Sequence, residues 1–189
     1  MSYTSIALCA KALIKIGAKG ITSFNEGTAE AQVAQALYAT TRDALLTAYP
    51  WHFATAQVTL PLLAQTPTAD YTYAFQLPTD FLRAISVGSG QRGQGINYRI
   101  NKDTLQCNSK SVVLTYIFRP MESNFPAFFA ALLIMRLSAE FCLPLTESTS
   151  RADFLNRMAD SAFAQAKLID AQQSVPQAIE DFPLIGVRT

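Results

Sequence analysis

The stretch RDALLTAYPWHF (residues 42–53) marks a change of secondary structure and decides the fold. It ends a helical pattern at Pro50, which cannot continue a helix and which pushes the preceding residue toward an extended conformation. The only Trp and the only His of the chain, Trp51 and His52, follow directly. Because a lone His beside an aromatic residue is a candidate catalytic group, this pair is either a site or a joint between two parts of the fold.

Helical periodicity lies on both sides of a central segment of different character. Apolar residues recur three and four apart in the predicted helices, which comprise residues 4–16, residues 28 to 48 or 49, residues 126–143, and residues 148 or 150 to 169. Ser2 or Thr4 is suited to cap the first helix and Gly17 to end it, and the second helix is expected to begin near Thr28, with Glu30 in its first turn. The central segment is rich in Thr, Tyr, Val and Phe and is interrupted by Pro, Gly and Asn, which predicts strands and turns. The predicted strands are residues 53–60, 71–77, 83–87, 97–100 and 112–118.

Two helices placed before a block of strands and two after it predict an α+β fold. We expect residues 1–50 and 121–175 to form an antiparallel four-helix bundle within a single structural domain, with residues 51–120 as an inserted antiparallel sheet or barrel. In the second helix the predicted buried face comprises Ala34, Leu37, Tyr38, Thr41, Leu45 and Ala48. In the last helix it comprises Phe154 or Leu155, Met158, Ala162, Gln165 or Ala166, and Ile169.

Composition argues against several classes of function. Half of the residues are hydrophobic and 15% are charged, with a net charge of +1 and no basic cluster, so phosphate neutralisation is not expected. The three cysteines, Cys9, Cys107 and Cys142, are far apart and each stands among apolar residues, which predicts buried free thiols in a reducing cytoplasm. The apolar run in residues 125–145 is interrupted by Arg136 and is expected to be a core helix rather than a membrane span.

Catalytic groups are sparse in the sequence. His52 has no carboxylate nearby in sequence to orient it, and Arg136 with Glu140 is predicted to be a pair of charges that neutralise one another on a mostly buried helix face. We therefore predict no enzyme activity, no catalytic residue, no cofactor and no metal. Two other functions stay open: a small hydrolase that uses His52, and a general protein-binding module.

The extended C-terminal tail, residues 176–189, has two prolines and no helical periodicity but keeps several apolar residues. These residues are Ile179, Phe182, Leu184, Ile185 and Val187. Such a segment either docks on a partner or folds back on its own domain.

Residues 12–54 resemble the N-terminal signature of the head-to-tail adaptor (connector) proteins of tailed bacteriophages. Within that family the chain is most similar to tail tubular protein A of short-tailed phages and to related adaptors of prophages and gene transfer agents. The shared features are Ile16-Gly17, Glu26-Gly27 followed by Ala29 and Ala31, and the aromatic pair in Trp51-His52-Phe53. The segment LPTDFLR (residues 77–83) is similar to a second, less specific motif of these adaptors.

The resemblance implies a virion structural protein of the neck, assembled in the host cytoplasm and without contact to a membrane. Its subunits would form a homo-oligomeric ring, expected to be a dodecamer, between the portal protein and the tail or nozzle protein, and DNA would pass through the ring without sequence-specific binding. The C-terminal tail of the subunit, residues 176–189, would dock on the portal, and the strand block would face the tail of the phage. Pro50, Trp51 and Phe53 would then form a structural joint, with His52 on an extended segment at a surface or subunit contact.

Overall fold

The computed structural model describes residues 3–88 and 95–173, and within them the chain is α+β, as predicted. The helices are α1 (Ser5–Lys15), α2 (Ala29–Ala48), α3 (Ala127–Thr146) and α4 (Thr149–Ala171). The strands are β1 (Thr55–Thr59), β2 (Tyr73–Gln76), β3 (Phe81–Gly88), β4 (Tyr98–Asn101), β5 (Thr104–Cys107) and β6 (Val113–Phe118). Two short 3-10 turns, His52–Ala54 and Glu122–Asn124, stand at the two junctions between helices and strands.

The first two helices begin and end where local chemistry requires. The hydroxyls of Thr4 and Thr28 accept hydrogen bonds from backbone N–H groups of the first turns of α1 and α2, each at 3.2 Å. Gly17 follows α1 with a φ of +79°, a conformation that glycine adopts without a steric penalty. Tyr49 is extended, with φ −146° and ψ 146°, because Pro50 follows it.

Helix α3 lies at the centre of the helical part and packs against α1, α2 and α4. By length and composition this helix could cross a membrane, but 56% of its most apolar 18-residue segment is buried inside the protein. The helix was predicted to end near Leu143 but continues to Thr146 with Pro144 in its last turn. Proline deprives only the carbonyl four residues earlier of its donor, and that carbonyl belongs to exposed Glu140, where water can replace the donor.

The β region consists of two antiparallel three-stranded sheets, ordered β1-β6-β3 and β2-β5-β4, where one sheet or barrel was predicted. The chain changes sheet after β1, β2, β3 and β5, and the change between β2 and β3 takes place at the turn that begins with Pro78. Strand β5 was missing from the sequence prediction. It pairs with both β2 and β4, so its conformation depends on two neighbours rather than on its own short sequence.

Two hydrophobic cores result from this arrangement. The larger one joins the four helices and includes Trp51, Ala54 and Ile117 of β6. The smaller one lies between the sheets and includes Phe75, Leu105 and Leu114. The residues that follow α2 therefore belong to the helical core, although the chain is already entering its first strand.

Candidate functional site

The predicted joint places two aromatic rings between helices. Trp51 is fully buried, and its ring packs edge-on against Phe129 of α3 and Phe163 of α4 at centroid distances of 5.3 and 5.8 Å. Half-buried Phe53 packs on the same Phe129 at 4.9 Å. The residues directly after Pro50 thus connect α2, α3 and α4 with the start of β1.

The indole N–H of Trp51 also has a specific partner. Nε1 donates to the backbone carbonyl of Leu45 at 2.9 Å, in a fully buried position. Leu45 lies in the last turn of α2, where carbonyls lack a partner within the helix. Trp51 therefore serves as both the largest side chain of this core and a cap for the helix that precedes it.

In the structure His52 contacts a carboxylate that local sequence patterns did not predict. His52 begins a 3-10 turn rather than an extended segment. Its Nδ1 lies 2.9 Å from Oδ2 of Asp170, and its backbone N–H donates to both oxygens of the same carboxylate, at 3.1 and 3.2 Å. The two residues are 118 positions apart, so no local pattern could have paired them. Asp170, fully buried in α4, was missed by the sequence analysis.

A histidine held at Nδ1 by a buried aspartate has the geometry of the base and orienting group in hydrolytic triads. Within residues 3–88 and 95–173, the hydrogen bonds of the imidazole include no hydroxyl or thiol nucleophile. The three thiols are buried elsewhere: burial raises the pKa of Cys9 to about 12 and also raises that of Cys107. The described residues hold no group of three side chains suited to a metal ion.

A second polar cluster links α2 to the end of β6 and the turn that follows. Glu122 accepts hydrogen bonds from Tyr38 at 3.0 Å and Arg42 at 3.1 Å. Arg42 also contacts Asp43 at 2.9 Å, and Asp43 accepts two hydrogen bonds from Arg119 at 3.1 and 2.7 Å. These five side chains hold the helical part against the β region where the chain returns from β6 to the helices, whereas the Trp51 joint lies where the chain enters β1.

The pKa values in this cluster follow from its geometry. Burial raises the pKa of the Tyr38 hydroxyl, and the charge of Glu122 raises it further. Burial acts in the same direction on Asp43, but the hydrogen bonds and charges of Arg119 and Arg42 outweigh it and hold the pKa of Asp43 below its ordinary value. The folded protein therefore stabilises the charged form of the Asp43 carboxylate.

Asp43→Asn should reveal this contribution as a function of pH. A depressed carboxylate pKa stabilises the fold above the ordinary value of about 3.9, and this contribution disappears as the pH falls through the folded-state pKa. At about pH 7 the substitution should reduce the free energy of unfolding by about 1–2 kcal/mol. Urea unfolding of both proteins from neutral to acidic pH checks this, and the difference between them should shrink toward the acid end. A difference that does not change with pH would contradict the assignment.

The predicted pair of Arg136 and Glu140 is not formed. Arg136 instead donates to Asp160 at 2.6 Å and to Asn156 at 3.3 Å, both on α4, while Glu140 is exposed. The prediction was wrong because a contact between helices competes with the contact one turn away on the same helix. Both side chains line a groove between α2 and α3.

Several residues of the family-like segments have clear structural duties. Glu26 accepts hydrogen bonds from Thr22 and Ser23 and closes the loop before α2, and Gly27 follows with a φ of +72°. In the second segment, Asp80 accepts a hydrogen bond from the Tyr116 hydroxyl at 3.2 Å, across the turn that changes sheets. These residues position the loops in which they lie.

The five apolar residues of the predicted docking tail, Ile179, Phe182, Leu184, Ile185 and Val187, lie outside the described residues. Neither protein-family models nor curated proteins match the chain. The family resemblance therefore rests on the segments quoted above.

Proposed function

We propose that this chain is the adaptor subunit of a tailed phage or phage-like particle, a virion protein that forms a ring between portal and tail. The observation that supports this best is the position of Trp51 and Phe53. Their rings fill the space between α2, α3 and α4 where the strands begin, a duty that accounts for an aromatic pair at this point of the adaptor signature. Such residues build a scaffold and perform no chemistry.

In this proposal the four helices form an antiparallel bundle that packs against neighbouring subunits, and the ring is a dodecamer. The β region contacts the tail or nozzle protein, and residues 176–189 reach the portal. A net charge of +1 suits a channel through which DNA must slide, because tight phosphate binding would retard it.

Negative-stain microscopy of the purified protein, alone and with the portal protein encoded near it, tests this function. Rings, or collars added to the portal, are the expected result. Some adaptors assemble only on the portal, so collars without free rings still agree with the proposal. A protein that stays monomeric and leaves the portal unchanged contradicts it, and the absence of portal and capsid genes nearby would favour the general protein-binding module.

Truncation after Ser174 should abolish docking on the portal and leave a folded subunit. The described helices end at Ala171, so the shortened chain keeps all of them. Circular dichroism and thermal unfolding should match the full-length protein, and portal co-sedimentation should be lost. Unchanged docking would refute the role of the tail while leaving the adaptor proposal to the microscopy.

A second candidate, a small hydrolase, is favoured only by the contact between His52 and Asp170. His52→Ala discriminates the two functions because a hydrolase would lose its base. Under the adaptor proposal, particles that carry this variant assemble and remain infectious. Particles that assemble normally but cannot infect would support the hydrolase.

A further inference from the structure

Helix α4 exposes an apolar ridge that nothing in the described part of the chain covers. Phe154 is 57% exposed, Met158 45%, Leu168 67% and Ile169 45%. At about 100° per residue these four side chains lie on one side of the helix. Met158, Ile169 and one of the pair Phe154 and Leu155 were predicted to be buried, and of these only Leu155 is. Only the neighbouring positions such as Leu155 and Ala159 are buried, so the apolar arc of α4 is wider than its contact with the rest of the protein.

A groove of about 430 Å³ lies elsewhere on the helical part, between α2 and α3. Its walls include Leu37, Ala44 and Ala48 of α2, and Arg136 and Glu140 of α3. Small side chains on α2 leave room for a larger apolar side chain to enter. Leu37 was predicted to be buried but is half-buried, and Ala48 is exposed, so this face of α2 also lacks a complete partner.

The ridge lies on one side of α4, and the residues of α4 that contact the groove wall lie on the opposite side. Arg136, in the groove wall, contacts Asn156 and Asp160 of α4. On the helix surface these two positions are roughly 150° away from the ridge. The ridge of one molecule therefore faces away from the groove of the same molecule, whereas the ridge of a second molecule is free to enter it.

Charge favours the same pairing. Arg151 and Arg157 are exposed on α4 and flank the ridge. Glu140 is exposed in the groove wall. Arg136 of the same wall is paired with Asp160, so the ridge flanked by positive charge meets Glu140 as the unpaired charge among the described groove residues, which favours the correct orientation of two copies.

We propose that the α4 ridge of one copy docks into the α2–α3 groove of the next copy. Because the two surfaces differ, the contact is heterologous, and repetition of it around an axis closes a ring. The inference names the subunit contact of the proposed adaptor and rests on that function.

A photo-cross-linker at Phe154 tests the contact without requiring its register. The full-length chain carries benzoylphenylalanine in place of Phe154 and is irradiated across a concentration series, alone and with portal protein. The expected product is a ladder of covalent multimers whose linked peptides map to residues 37–48 or 136–140 of the neighbouring copy. The matched control carries the same group at Leu62, an exposed apolar residue of the β region, and should give no such ladder.

A linkage from Phe154 to α4 of another copy would overturn the proposal, as would a linkage to residues 174–189 or the absence of multimers in both conditions. Phe154→Ser provides a second measurement, because it changes an exposed position and should leave the fold intact. It should weaken self-association about tenfold or more, as expected for an aromatic anchor. Collars on the portal without ladder formation would refute this contact and keep the adaptor function. A ladder without portal binding would support this contact and refute the adaptor function.

Discussion

Trp51→Ala should lower the free energy of unfolding by about 3–5 kcal/mol, the range for truncation of a large buried aromatic residue. Three effects act together. The substitution leaves a cavity among Phe53, Phe129 and Phe163, removes the edge-on aromatic contacts, and deprives the Leu45 carbonyl of its donor. Because marginally stable domains have only about 5–15 kcal/mol in total, the variant should be close to unfolding at physiological temperature.

The measurement is urea unfolding followed by circular dichroism, since Trp51 is the only Trp of the chain and the variant has no indole fluorescence. Trp51→Phe is the matched control. It keeps a ring in the core but loses the hydrogen bond to Leu45, and should cost about 1–3 kcal/mol. Leu62→Ala, at a half-exposed position, should change stability by about 0.5 kcal/mol or less. Equal losses for the three variants would contradict a packed joint at Trp51.

The sequence was informative where a structural signal is local. Thr4, Thr28 and Pro50 each act through bonds or sterics within a few residues, and the structure confirms the helix boundaries that depend on them. The α+β class followed from the same boundaries. The division of the strands into two sheets did not, because strand pairing joins residues far apart, as between β1 and β6. Local propensity contains no information on such partners.

Burial on α4 shows a different limit. Helical periodicity identified an apolar arc, but it does not say which part of the arc meets the same chain and which part stays exposed. Leu155 and Ala166 are buried, whereas Phe154 and Met158 are not. The polar contacts were equally beyond prediction. Glu140 was the predicted partner of Arg136. The observed partner is Asp160, because the packing of α3 on α4 determines which carboxylate Arg136 reaches.

We expect the contact of His52 with Asp170 to stabilise the C-terminal end of α4. A carboxylate in the last turn of a helix opposes the helix dipole, so Asp170 stands in a position that is unfavourable by itself. It is also fully buried, which adds a desolvation cost. The two N–H donors of His52 offset both effects, and they attach α4 to the start of the β region.

Asp170→Ala should therefore cost about 2–3 kcal/mol, because it removes the acceptor of the half-buried backbone N–H of His52 and frees the imidazole. Asp170→Asn keeps one acceptor oxygen and should cost about 1 kcal/mol. At the surface position predicted for His52, His52→Ala would cost little, but the observed contact raises the expected cost to about 1–2 kcal/mol, since the buried carboxylate of Asp170 would lose one of its donors.

A double-mutant cycle of the two alanine variants isolates the pair and should give a coupling of about 1–2 kcal/mol. Hydrogen exchange provides the local readout: Asp170→Ala should speed exchange of the amides in the last turn of α4 more than that of amides in α1. If the two substitutions were additive and exchange at the end of α4 did not change, the contact would be incidental.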